Sequence, residues 1–216
     1  MTAGSREGLT ALPGNGWPGP ALQDPSMRWL TAMAALTLAA GCHRSGGAAA
    51  ASGAADGSEI VGTRAPGWDV SEWIGSPPIA WESLRGKVVL VRWFMSTDCP
   101  YCTASAPALN ALDAEFGGGG LQVVGMYHHK NPEPLDLDKV RGWVNDFKFK
   151  FPVAVDRDWR TLKRWWLDGH DRPYTSVSIL VDQDGVIRHV HPGGTLQLGS
   201  PDERALRSKI QQLLGR

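Results

Sequence analysis

Residues 88–102 read VVLVRWFMSTDCPYC, and this stretch decides the fold. Val88 to Phe94 is an apolar run broken only by Arg92, the pattern of a strand buried on both faces. Cys99-Pro100-Tyr101-Cys102 follows it and opens a segment in which Ala104, Ala108, Leu109 and Leu112 recur at helical spacing. Pro100 suits the first helical position, where no N–H donor is needed. The arrangement has a chemical sense. A cysteine at the start of a helix meets unpaired N–H groups and the positive end of the helix dipole, both of which favour a thiolate. The thiolate is the nucleophile of disulfide exchange. Cys102 lies one turn on, on the same face, and can attack a mixed disulfide formed by Cys99. Half a zinc site has the same spacing, but the chain has no second Cys-x-x-Cys. A structural bridge across so short a loop would gain little stability.

Working outward, Trp68 to Ile79 alternates in character around Gly75 and Pro77-Pro78, which predicts a hairpin. Beyond the first helix, Gly117 to Gly120 is a stop, and Leu121 to Tyr127 reads as a second buried strand. A helix over Leu137 to Phe147 and a strand over Phe151 to Val155 follow. Asp158 is placed to cap a helix running through Leu162, Trp165 and Trp166. Val177 to Val181 and Val186 to Val190 flank the turn Asp182-Gln183-Asp184-Gly185, and Pro201 to Leu214 is a final amphipathic helix. Strand and helix alternate, so the fold class is α/β, with helices on both faces of one sheet.

Lys plus Arg and Asp plus Glu both number 22, and 42% of the 216 residues are hydrophobic. The length supports one domain with a real core. The balanced charge gives no reason to expect nucleic acid as a partner. Most of the ten tryptophans are expected in the core or in a partner groove.

The third cysteine belongs to a different feature. Met27 to Cys42 reads MRWLTAMAALTLAAGC, with Arg28 ahead of an apolar run too short to span a bilayer comfortably. Its ending, Leu38-Ala39-Ala40-Gly41-Cys42, resembles a bacterial lipobox, although Leu38 stands one position further from the cysteine than is usual. That resemblance implies lipidation of Cys42. An ordinary cleaved signal and a buried amphipathic helix are the other readings. We expect residues 1–26 to be a disordered or mis-assigned upstream segment with translation starting at Met27. We further expect 27–42 to be a lipoprotein-type signal, 43–60 a Gly/Ala/Ser tether and 61–216 the domain.

The segments Ala65-Pro66, Leu84-Arg85-Gly86-Lys87-Val88-Val89-Leu90-Val91, Cys99-Pro100-Tyr101-Cys102 and Pro107 together resemble the thioredoxin-like redoxins of the bacterial envelope. These comprise the TlpA/ResA class and AhpC/TSA relatives. Phe151 to Asp156 and Ile179 to Gly185 are similar to family segments as well. The resemblance implies a thioredoxin-like fold with a central mixed sheet and an activity of thiol-disulfide exchange. It implies Cys99 as the first cysteine, Cys102 as the resolving one, and no cofactor beyond their redox-active disulfide. It also implies protein dithiols or disulfides as partners. We expect a monomer in the periplasm-facing envelope, touching membrane only through the lipid anchor.

Three departures from the family matter. The family's cis-proline position holds Ser176, preceded by Thr175, while Pro173 is misplaced. Arg92 or Trp93 stands where thioredoxins keep a buried acid. The approach Met95-Ser96-Thr97-Asp98 is one residue longer than usual. There Asp98 either opposes the Cys99 thiolate or caps the helix. Asp98, Pro100, Tyr101, Thr175 and Ser176 therefore form the expected active-site loops.

Parallel strands would bring His128 and His129 to the Cys99 side, and the last hairpin strand would add His191. A cationic imidazole there would lower the Cys99 pKa. Neutral imidazoles with thiolates would suit Cu(I), giving a copper carrier as one alternative function. Exposed loop histidines doing neither is the plain alternative. The rival enzyme is a peroxiredoxin-like peroxidase, since Ser96-Thr97-Asp98-Cys99 faintly resembles that family's Thr-x-x-Cys.

Overall fold

The computed structural model of the protein describes residues 55–216. The upstream segment, the signal-type segment with Cys42 and most of the tether lie outside the described residues. The central strand β2 (Val88–Phe94) is buried along its whole length, as its apolar run predicts. It pairs in parallel with β3 (Leu121–His128) and antiparallel with β5 (Ser178–Val181). Beyond β3 lies β4 (Val153–Asp156), in parallel, and beyond β5 lies β6 (Ile187–His191), antiparallel. A two-residue strand, β1 (Trp73–Ile74), closes the edge against β4. The sheet is six-stranded and mixed, in the order β1-β4-β3-β2-β5-β6.

Alternation along each strand sends side chains to two cores. Leu90, Phe94, Val123 and Val155 face one side, where helices α1 (Pro100–Phe116), α2 (Leu137–Asp146) and α4 (Pro201–Leu213) pack through Leu109, Leu112, Val140, Leu206 and Ile210. Val89, Val91, Trp93 and Met126 face the other, covered by a short helical segment and the N-terminal arm. Trp68 and Trp81 of the arm meet Trp165 there, Trp73 packs on Trp68, and Trp165 in turn meets Trp93. Trp68 lies 4.7 Å from Trp81 and 5.9 Å from Trp73, Trp81 lies 5.3 Å from Trp165, and Trp165 lies 5.6 Å from Trp93, centroid to centroid. Aromatic pairs at these separations add stability beyond the area they bury. The arm's packing reaches back to Ile60 in this second core and to Glu59, which pairs with Arg172.

Two local expectations change. Residues 68–79 do not fold on themselves as a hairpin. The ring N–H of Trp68 donates to the Ile79 carbonyl at 2.8 Å, which closes the segment as a loop, and its one strand pairs with β4 instead. The helix expected behind Asp158 is α3 (Arg160–Leu162), which continues as a π turn over Lys163–Leu167. Its cap is the buried carboxylate of Asp156, which accepts the N–H of Thr161 at 3.1 Å and of Leu162 at 2.8 Å. The intervening Trp159 takes up a left-handed conformation, φ 61°, and this offsets the register by which Asp158 would have capped.

Candidate active site

Strand β2 ends at Phe94, and five residues later Cys99 caps α1. The Cys99 sulfur accepts the backbone N–H of Cys102 at 3.2 Å, the cap hydrogen bond that would hold a thiolate. Cys99 and Cys102 form a disulfide with a Cα separation of 5.3 Å. The two sulfurs are placed unequally. Cys99 is half-buried, whereas Cys102 is 2% exposed and lies 3.5 Å from the Met95 amide N–H.

Asp98 is exposed, and its carboxylate accepts the Ser96 hydroxyl at 3.4 Å. The helix start is further tied down by the Thr103 hydroxyl, which donates to the Thr97 carbonyl at 2.9 Å. Next to Cys99 lies a largely apolar groove of about 320 Å³. Met95, Pro100 and Tyr101 form one bank; Tyr174, Thr175 and Ser176 form the other, with Pro173 and Lys130, two residues beyond β3, completing it. Tyr101 and Tyr174 stand edge to face across it at 5.5 Å, both exposed. The expected loop residues are thus brought together. Tyr174 and Lys130 were missed, because nothing in their local sequence signals a groove.

The three histidines part company. His128 is fully buried; its Nε2 lies 2.9 Å from the Thr175 hydroxyl, so it sits one hydrogen bond behind the groove. His129 turns away, to the Tyr127 hydroxyl at 3.0 Å and the Glu133 carbonyl at 2.6 Å. His191 is buried and lies 3.8 Å from Asp202 of α4. None of them lines the groove. Burial pushes His128 down to about 3 and His191 down to about 4, with Arg92 adding to both. Both are therefore uncharged at neutral pH, so the expected cationic partner for Cys99 is not supplied by them. Among the described residues no three His, Cys, Asp or Glu side chains converge as metal ligands, and the copper reading lacks its ligand set.

Arg92 occupies the strand position noted above, and it is 1% exposed. Its Nη1 donates to the Ser178 hydroxyl at 3.1 Å, and its Nη2 to Ser105 Oγ at 3.1 Å and the Gly194 carbonyl at 3.0 Å. Ser105 in turn donates to the Tyr101 carbonyl at 2.6 Å and accepts the Leu196 N–H at 2.9 Å. This cluster fastens α1, β2, β5 and the loop after β6 together beneath the cysteines.

The redoxin family model matches residues 72–205. The chain belongs to the redoxin family. DipZ of Mycobacterium bovis is 28% identical over 163 residues, covering 72% of this chain and 21% of that protein. The thiol-disulfide oxidoreductase ResA of Bacillus anthracis is 26% identical over 127 residues, covering 59% of this chain and 66% of that one. The chain therefore spans about a fifth of DipZ and just under two thirds of ResA. Among solved structures, a thiol-disulfide isomerase from Corynebacterium glutamicum superposes with TM-score 0.56 at 29% identity, covering 70% of this chain and 97% of that one. A thioredoxin-like superfamily protein superposes with TM-score 0.58 at 25% identity, covering 71% and 97%. The fold of this redoxin is thioredoxin-like, and its Cys99–Cys102 pair occupies a CXXC motif of the kind such oxidoreductases carry. No helix among the described residues is long and apolar enough to cross a membrane.

Proposed function

We propose that this redoxin is a thiol-disulfide oxidoreductase that exchanges disulfides with partner proteins through Cys99 and Cys102. The observation that carries the reading is the unequal placement of the two sulfurs at the start of α1. Cys99 opens onto the apolar groove and Cys102 is closed off behind it. In the reducing direction the Cys99 thiolate attacks a partner disulfide and expels one partner thiolate. Cys102, losing its proton, then attacks Cys99, closes the disulfide and releases the second. In the oxidising direction the same steps run backwards. The groove beside Cys99 would take an extended segment of the partner.

The envelope location, the anchor at Cys42 and the monomeric state are part of this proposal. The signal-type segment 27–42 and the likeness to ResA support the location. Mass spectrometry of the mature N-terminus tests the anchor. Replacement of Cys102 by Ser tests the exchange itself, because the mixed disulfide then has no resolving thiol. The Cys102→Ser protein should accumulate covalent partner adducts on Cys99, released by dithiothreitol. If adducts fail to form while peroxide oxidises Cys99 rapidly, the protein is a thiol peroxidase instead.

A further inference from the structure

A charged side chain in a protein interior is costly unless an opposite charge or a function accounts for it. Among the described residues, no acidic side chain pairs with Arg92. Its three acceptors, Ser178, Ser105 and the Gly194 carbonyl, are neutral oxygens, and its Nε is buried with no partner. The titratable side chains it faces are His128 on β3 and His191 on β6, both uncharged at neutral pH because of burial. Asp202 lies beyond His191, on α4. Among the described residues Arg92 forms no ion pair. Burial lowers the guanidinium to about 9, which still leaves it protonated at neutral pH.

Its place in the fold is specific. Arg92 stands three residues before Met95, whose N–H meets the Cys102 sulfur. Through Ser105 it holds α1 one turn after Cys102. A cysteine thiolate at the start of this same helix is an anion able to answer the uncompensated cation, and it exists only in the reduced state.

We propose that Arg92 is an electrostatic positioning residue whose buried charge favours the thiolate of the Cys99–Cys102 pair, so that the couple is poised to oxidise partner dithiols. The inference rests on the exchange activity proposed above. A partner dithiol gives up two electrons and two protons as it becomes a disulfide. The Cys99–Cys102 disulfide takes both electrons and its S–S bond breaks. Cys102 takes one proton, the other goes to solvent, and Cys99 is left as a thiolate at the groove, with the Arg92 charge in the interior beneath the pair. A unit charge buried in the same low-dielectric interior as a thiol can shift its ionisation by roughly one pKa unit, ~1.4 kcal/mol. Stabilising the reduced form raises the potential of the couple correspondingly.

The test equilibrates the full-length protein with glutathione at pH 7 and counts reduced and oxidised forms after acid quenching and alkylation. Arg92→Met removes the charge and keeps the bulk. It should shift the equilibrium constant about tenfold towards the disulfide, about 30 mV for a two-electron couple, and raise the first thiolate pKa of the pair in ultraviolet titration. Arg92→Lys keeps the charge without the hydrogen-bond fork, and should stay within about threefold of the parent. Ser178→Asp places a carboxylate against the guanidinium, and should shift the equilibrium in the same direction as Arg92→Met. It decides the matter if Arg92→Met fails to fold. Parent-like constants for Arg92→Met and Ser178→Asp would overturn the proposal, as would a Lys variant shifted as far as the Met variant. A parent protein that exchanges nothing with glutathione would remove the exchange activity, and this inference with it.

Discussion

His128 Nε2 lies 2.9 Å from the hydroxyl of Thr175, so a buried, uncharged imidazole supports the groove wall from behind. Replacing Thr175 by Val strands that nitrogen in the interior. An orphaned buried polar group costs about 1–3 kcal/mol, and Thr175→Val should lose that much in urea unfolding. Thr175→Ser, which keeps the hydroxyl, should lose little.

The same burial sets an acid limit. His128 and His191 stand at about 3 and about 4 in the folded state, against about 6.5 for an unperturbed imidazole. Below about pH 6.5 the unfolded chain takes up protons that the folded chain refuses, so stability falls as pH falls. The loss runs from about 6.5 down to about 4 for His191 and about 3 for His128. Each histidine contributes a slope of up to ~1.4 kcal/mol per pH unit within its window. Urea midpoints measured from pH 7 to pH 4 should show this decline, and His128→Asn should flatten it. A midpoint constant over that range would contradict the assignment.

Access to the dithiol should be one-sided. Cys99 is half-buried and Cys102 is 2% exposed. In the reduced protein, iodoacetamide at neutral pH should modify Cys99 at least about tenfold faster than Cys102, because thiolate character and exposure both favour it. Peptide mass spectrometry at short times reads the ratio directly.

Capping by Asp156 gives a stability contrast with its neighbour. Asp156→Ala removes the acceptor for the N–H groups of Thr161 and Leu162 and should cost about 1–2 kcal/mol. Asp158→Ala should be close to neutral. Equal losses for the two variants would mean that Asp156 is not the effective cap.

The groove wall also depends on a glycine. Gly193 has φ +121°, and a Cβ there would stand 2.3 Å from Tyr174 Cβ. Gly193→Ala should therefore displace Tyr174, lower stability by about 1–3 kcal/mol and slow alkylation-competing exchange with peptide disulfides. A crystal structure of the variant with Tyr174 unmoved would contradict this.

How much of this was legible in the sequence depends on whether the signal was local. The strands at Val88–Phe94 and Leu121–His128 announce themselves, because burial on both faces demands unbroken apolar runs. The cysteine pair is equally plain, since its chemistry needs the helix start that Pro100 marks. The stretch 68–79 was misread because its pairing partner is the edge strand β4, 80 residues away in the chain, and alternation does not say which strand will be met. The histidines were brought to the right end of the sheet by topology. Only the packing around them reveals that His128 and His191 are neutral and that none of the three lines the groove. Arg92 was conspicuous as a break in an apolar run, but its want of a carboxylate is a property of the whole interior.

The tryptophan contacts bear on where this chain can be cut. Likeness to the family begins at residue 72, yet Trp68 packs edge-on against Trp81 and stacks on Trp165, and the Gly67 carbonyl accepts the Trp165 ring N–H at 2.6 Å. A fragment trimmed to the family boundary would expose a raw aromatic surface on the side of the sheet opposite the dithiol. The unit that inherits a common ancestry and the unit that closes its own interior are therefore different lengths of the same polypeptide.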